Sequence, residues 1–79
     1  MQARAELSLY PLTEDYIPRI KALIDRLNTY DDLSVVTNAM STQVTGDYDR
    51  VMGVVTKELK ASFGDSAKAV CVMKLLPLD

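Results

Sequence analysis

Hydrophobic periodicity changes repeatedly along this chain, between a repeat of two and a repeat of three to four, and the order of those changes limits the fold more than any single motif does. From Ala3 to Leu9, Ala3, Ala5, Leu7 and Leu9 point one way and Arg4, Glu6, Ser8 and Tyr10 the other, which predicts a first strand. Pro11 ends it, because proline cannot donate a ladder hydrogen bond, and Thr13 or Asp15 caps the helix after it. Ile17, Ile20, Ile24 and Leu27 form a single helical stripe, with Pro18 near enough to the helix start to be tolerated. Leu33 to Thr37, β-branched around Val35 and Val36, predicts a second strand. A tight connection through Asn38 and Ala39 leads to a third, Met40 to Thr45, in which Met40, Thr42 and Val44 alternate with Ser41, Gln43 and Thr45. Gly46 marks a sharp backbone change, and Asp47 is the N-cap of a second helix with the stripe Tyr48, Val51, Met52, Val55 and Leu59. Gly64 stops that helix. Ala67 to Leu76 predicts a fourth strand that is apolar on both faces, since Val70, Val72 and Leu76 oppose Ala69, Cys71 and Met73.

No repeat, linker or low-complexity tract interrupts this order. It predicts one α+β domain over residues 1–79, a ferredoxin-like βαββαβ sandwich in which a four-stranded antiparallel sheet carries two helices on one face. The other sheet face is left bare. Its apolar members, Val70, Val72 and Leu76, are expected to be covered by a second subunit. Self-association is also what a chain of 79 residues needs, because one small core supplies little stability and the usual reinforcements are missing. Cys71 is the single cysteine and histidine is absent, so neither an intrachain disulfide nor a Cys/His zinc site can be built.

The same composition excludes several functions. A net charge of -2 with scattered basic residues does not suit a protein that tracks a nucleic-acid backbone. No apolar run is long enough to span a bilayer, and the N-terminal segment lacks the layout of a secretory signal, so cytoplasmic residence is expected. Without histidine, Ser/His and Cys/His nucleophile pairs cannot form, and Cys71 falls inside a strand. The carboxylate pairs Glu14/Asp15, Asp31/Asp32 and Asp47/Asp49 all fall at helix starts or in turns, where capping explains them. The loop from Tyr10 to Asp15 has neither glycine nor a basic residue with which to cradle phosphate. No catalytic residue, resident cofactor or metal is expected.

What remains is polar chemistry on the bare face of the two central strands. Glu6, Ser8 and Tyr10 from the first strand, Ser41 and Gln43 from the third, and Asn38 at the connection should converge there. A carboxylate, amides and hydroxyls beside an apolar rim suit an amine-bearing or cationic aromatic ligand. The segments Glu6-Leu7-Ser8-Leu9-Tyr10-Pro11-Leu12 and Asn38-Ala39-Met40-Ser41-Thr42-Gln43-Val44-Thr45-Gly46 resemble the SLYP and S-T-x-x-x-G motifs of the small thiamine-binding, YkoF-like proteins. That resemblance implies a non-catalytic protein that binds thiamine or its hydroxymethylpyrimidine moiety and assembles into dimers or tetramers through its sheets. Ser8, Ser41 and Thr42 match the motifs; Glu6, Asn38 and Gln43 are added from facing direction, and Tyr10 as a stacking surface. Thr42 is expected to point toward the helices. The rival expectation is an ACT-like regulatory or oligomerisation module with no thiamine site.

Overall fold

A ten-residue strand, β1 (Gln2–Pro11), forms the spine of the sheet, and its alternating pattern is realised without a break. Ala3, Ala5, Leu7 and Leu9 are buried beneath the helices, while the intervening residues face away from them. The computed structural model describes residues 1–64 and 68–79. Ala67, with which the fourth strand was expected to begin, lies outside the described residues. The remaining elements are α1 (Tyr16–Leu27), β2 (Ser34–Thr37), β3 (Thr42–Asp47), α2 (Tyr48–Phe63) and β4 (Ala69–Pro77). The sheet order is β2-β3-β1-β4 and every pairing is antiparallel, which makes the fold the expected ferredoxin-like α+β sandwich.

Both helices bury a different stripe from the one periodicity suggested. In α1 the buried residues are Leu23 and Leu27, with Ile20 packed partly against the core and Ile24 half-buried, whereas Ile17 is 64% exposed. The buried stripe thus starts later along α1 than expected. In α2 the buried residues are Val51, Val54, Val55 and Glu58; Met52 and Leu59 flank them and Tyr48 reaches the surface. Asp47 caps α2 as expected, its carboxylate accepting from the Arg50 backbone N–H at 3.2 Å. Asp15 occupies the N-cap position of α1 without making a capping bond. Its carboxylate instead accepts from Thr13 Oγ1 at 2.7 Å and Arg19 Nε at 3.3 Å, the two contacts that lower its pKa most.

The third strand begins at Thr42 rather than Met40 and continues through Gly46, which is not a bend. No described glycine has a positive φ, so conformational freedom is not what Gly46 supplies. A Cβ there would come within 2.6 Å of Leu33 Cδ2, so the missing side chain is the space into which Leu33 packs. On β4 the open-face residues Val70, Val72 and Leu76 are exposed in the single chain, as expected of a bare sheet face, and Met73 and Leu75 on the other face are only partly sheltered by the helices.

Buried Glu58, 7% exposed, joins the two helices. It accepts from Tyr30 Oη at 2.6 Å and from Arg26 Nε at 2.9 Å, while the Arg26 guanidinium also donates to the Glu58 carbonyl and to Ser62 Oγ. The Tyr30 hydroxyl, then Arg26, hold the Glu58 carboxyl below the ordinary glutamate range against the opposing effect of burial. A depressed folded-state pKa means that this stabilisation is present above the ordinary value of 4.5 and is lost as pH falls through the lower folded value. Glu58→Gln is therefore expected to destabilise the protein at pH 7 by about 2 kcal/mol, because it removes the charge from a buried charge-assisted pair. Urea unfolding at pH 7 and pH 3 checks this: the gap between wild type and variant should narrow at the lower pH.

Candidate functional site

Register brings the expected polar residues together. Glu6 lies opposite Gln43 on β3 and Lys74 on β4, Ser8 opposite Val72, and Tyr10 opposite Val70. Because the odd-numbered residues of β1 fill the core, the even-numbered ones must share the bare face. Glu6 Oε2 accepts from Ser41 Oγ at 3.1 Å, and Glu6 Oε1 lies 3.9 Å from the exposed Lys74 ammonium. Ser8 Oγ donates to the Met40 carbonyl at 3.2 Å, and Arg4 Nε to Thr45 Oγ1 at 3.1 Å. Gln43 and Tyr10 complete the row, with Tyr10 more than half exposed.

Met40 and Ser41, expected in the third strand, instead belong to the β2–β3 connection, residues 38–41. Asn38 Oδ1 accepts from the Met40 and Ser41 backbone N–H groups at 2.8 and 3.0 Å, and the Asn38 N–H donates to the Ser41 carbonyl at 3.0 Å. Thr42 does turn toward the helices: it is buried, and its hydroxyl lies 3.1 Å from that of Thr37 at the base of the connection.

Sequence reasoning missed a cavity of about 460 Å³ beside this turn. It lies between the helix layer and the end of the sheet, with Leu7 and Leu9 below it and Tyr16, Ile20, Leu23 and Ile24 of α1 along one side. The turn forms its remaining wall. α1 packs mainly on β1 and α2 and leaves the β2–β3 end uncovered, which is why the space is there. Its volume falls in the range of small-molecule sites, and its lining is apolar with a polar edge. Of the expected site residues, Ser8, Tyr10, Asn38, Ser41 and Thr42 line it, whereas Glu6 and Gln43 do not. Ser41 is the link between the two regions, because it lines the cavity and also donates to Glu6.

The sequence carries no signal for this cavity, because it is a gap between elements whose floor is formed by large residues, Leu7 and Leu9. Burial pushes the Cys71 thiol up, which keeps it protonated and a poor nucleophile. Among the described residues no group of His, Cys, Asp and Glu is arranged to hold a metal ion, and no helix is long and apolar enough to cross a membrane.

Comparison with known proteins shows the family and agrees with the fold. The sequence profile of the YkoF-related family matches residues 2–75. The chain belongs to the YkoF-related family. A Streptococcus pneumoniae crystal structure is similar to this YkoF-related chain with a TM-score of 0.90 at 21% identity, covering 100% of this chain and 89% of that one. A hypothetical protein from Methanocaldococcus jannaschii has a TM-score of 0.84 at 28% identity, covering 99% and 81%. A Thermotoga maritima protein provisionally named for thiamine biosynthesis or salvage has a TM-score of 0.85 at 15% identity, covering 99% and 85%. None of the curated proteins matches the chain.

If the Glu6 and Ser41 side chains are kept for binding rather than for folding, removing them should cost little stability. Glu6→Gln and Ser41→Ala are each expected to change unfolding free energy by less than about 0.5 kcal/mol, as for surface positions outside the core. Urea midpoints of the two variants against wild type measure this; a loss of about 2 kcal/mol in either would mark a structural role.

Proposed function

We propose that this YkoF-related protein is a non-catalytic, cytoplasmic binder of thiamine or of its hydroxymethylpyrimidine moiety, acting as a carrier or sensor. Family membership and the Thermotoga maritima neighbour's name support a small-molecule role. The observation that carries the reading is the cavity of about 460 Å³ whose polar edge holds a serine hydroxyl directed at a carboxylate. An aromatic ring would take the apolar space against Leu7, Leu9 and Ile24, where its burial is favourable. At the cavity edge Ser8 and Ser41 would meet ring nitrogens and Tyr10 would stack; Glu6 and Gln43, outside the cavity, would meet the part of the ligand that extends past Ser41 onto the open sheet face, where Glu6 would accept from an exocyclic amine or face a positive charge. Thr42 would line the cavity floor. Such a ligand needs no nucleophile, no metal and no resident cofactor.

Isothermal titration of the folded protein with thiamine and with hydroxymethylpyrimidine is expected to show saturable binding of at least one. Glu6→Gln should weaken it by roughly tenfold or more, the worth of one hydrogen bond to a charged group. Absence of heat with both ligands, for protein whose folding is verified, would overturn the reading.

We also infer that a second copy of the chain covers the open sheet face. Val36, Val70, Val72 and Leu76 are 54%, 49%, 50% and 54% exposed in the single chain and all face away from the helices. Apolar surface of that extent on a small protein marks a contact. Sedimentation at tens of micromolar should give a dimer or tetramer, and Val72→Lys should shift it toward monomer. A monomeric wild type would refute the assembly.

A further inference from the structure

We propose that Asn38 is a positioning residue, which holds the Ser41 hydroxyl against Glu6 and thereby fixes the mouth of the cavity. The sequence placed Asn38 among groups that touch ligand, but the structure commits its carbonyl oxygen elsewhere. That one atom accepts from two successive backbone N–H groups, those of Met40 and Ser41, at 2.8 and 3.0 Å. The Asn38 N–H meanwhile donates to the Ser41 carbonyl at 3.0 Å. Ser41 is thus held at both its backbone N–H and its C=O by a single residue, and from that fixed backbone its hydroxyl reaches Glu6 Oε2 at 3.1 Å.

Packing does not hold this turn. Asn38, Ala39 and Met40 are all exposed, Met40 at 84%, so no side chain of the turn tip is anchored in the core. Its shape depends on polar contacts alone: the Asn38 bonds, the Ser8 hydroxyl on the Met40 carbonyl at 3.2 Å, and the Thr37–Thr42 hydroxyl pair at the base. Asparagine suits this position because its short side chain reaches backbone N–H groups two and three residues on. Loss of the Asn38 acceptor frees two N–H groups in a segment otherwise restrained only by the Asn38 N–H to Ser41 carbonyl bond, the Ser8 hydroxyl and the Thr37–Thr42 pair, and local opening there needs no unfolding of the core.

The placement of Ser41 is a geometric statement, and its effect on affinity rests on the binding role proposed above. The test separates the two. In the ¹⁵N-labelled full chain, amide hydrogen exchange at Met40 and Ser41 is expected to be about tenfold faster in Asn38→Ala and to return to the wild-type rate in Asn38→Asp, which retains the acceptor. Titration with hydroxymethylpyrimidine, which is uncharged, should show affinity about tenfold weaker in N38A and near wild type in N38D, with little change in Tm in either. Unchanged exchange in N38A would overturn the proposal whatever the pyrimidine does. Equal loss of affinity in both variants, with exchange intact in N38D, would make the Asn38 amide N–H a ligand contact and overturn the positioning role. If the wild type fails to bind while the exchange pattern holds, the binding role falls and the placement of Ser41 by Asn38 stands.

Discussion

β1 is paired on both sides, to β3 over Gln2–Leu7 and to β4 over Ala3–Pro11, and that double pairing is the constraint on which the rest of the molecule depends. A central strand flanked in this way cannot slip by one residue without exchanging its two faces. Ala3, Ala5, Leu7 and Leu9 would then meet solvent, and Arg4, Glu6 and Ser8 would enter the core. The burial of the first set therefore fixes the exposure of the second. The polar row that carries the proposed binding chemistry is a consequence of the hydrophobic demand of the same strand.

The cavity depends on a different interaction. Arg26 at the end of α1, Tyr30 in the loop after it and Glu58 of α2 form one hydrogen-bonded group that ties the C-terminal end of α1 to α2. A buried ion pair of this kind adds less net stability than its Coulomb attraction suggests, because both partners lose water. Its effect here is placement. Tied to α2 at that end, α1 lies over β1, and its Tyr16, Ile20 and Ile24, with the core residue Leu23, form a wall of the cavity.

The sequence made the sheet legible because strand faces depend only on alternation, which is local. The order of elements, the central position of β1, the Asp47 cap and the inward turn of Thr42 could all be read from residue spacing. The helical stripes were legible to within one turn. Leu23 replaces Ile17, and Val54 and Glu58 enter the buried face of α2, because the facing angle is set by tertiary partners such as Tyr30 and Arg26. Gly46 was misread for a related reason. Nothing local distinguishes a glycine required for backbone freedom from one required by a neighbour's methyl group, and the neighbour is Leu33. The cavity was not legible at all, since it is a gap between elements and has no residue of its own. Its polar edge was, because Ser8, Asn38 and Ser41 stand out as polar residues beside apolar strands.

One tension remains in the geometry, and it links the two proposals about this face. The apolar residues of the open side lie on its outer strands, Val36 on β2 and Val70, Val72 and Leu76 on β4, with the polar row of β1 and β3 between them. A covering copy of the chain that shelters the outer strands also removes water from above Glu6. A carboxylate deprived of water needs donors, and the structure provides one serine hydroxyl at hydrogen-bond distance and one lysine beyond it. In the proposed assembly an amine-bearing ligand would supply what the protein lacks there. Binding and assembly would then favour each other, because a ligand that pairs with Glu6 lowers the cost of covering the face, and a covered face strengthens the pairing.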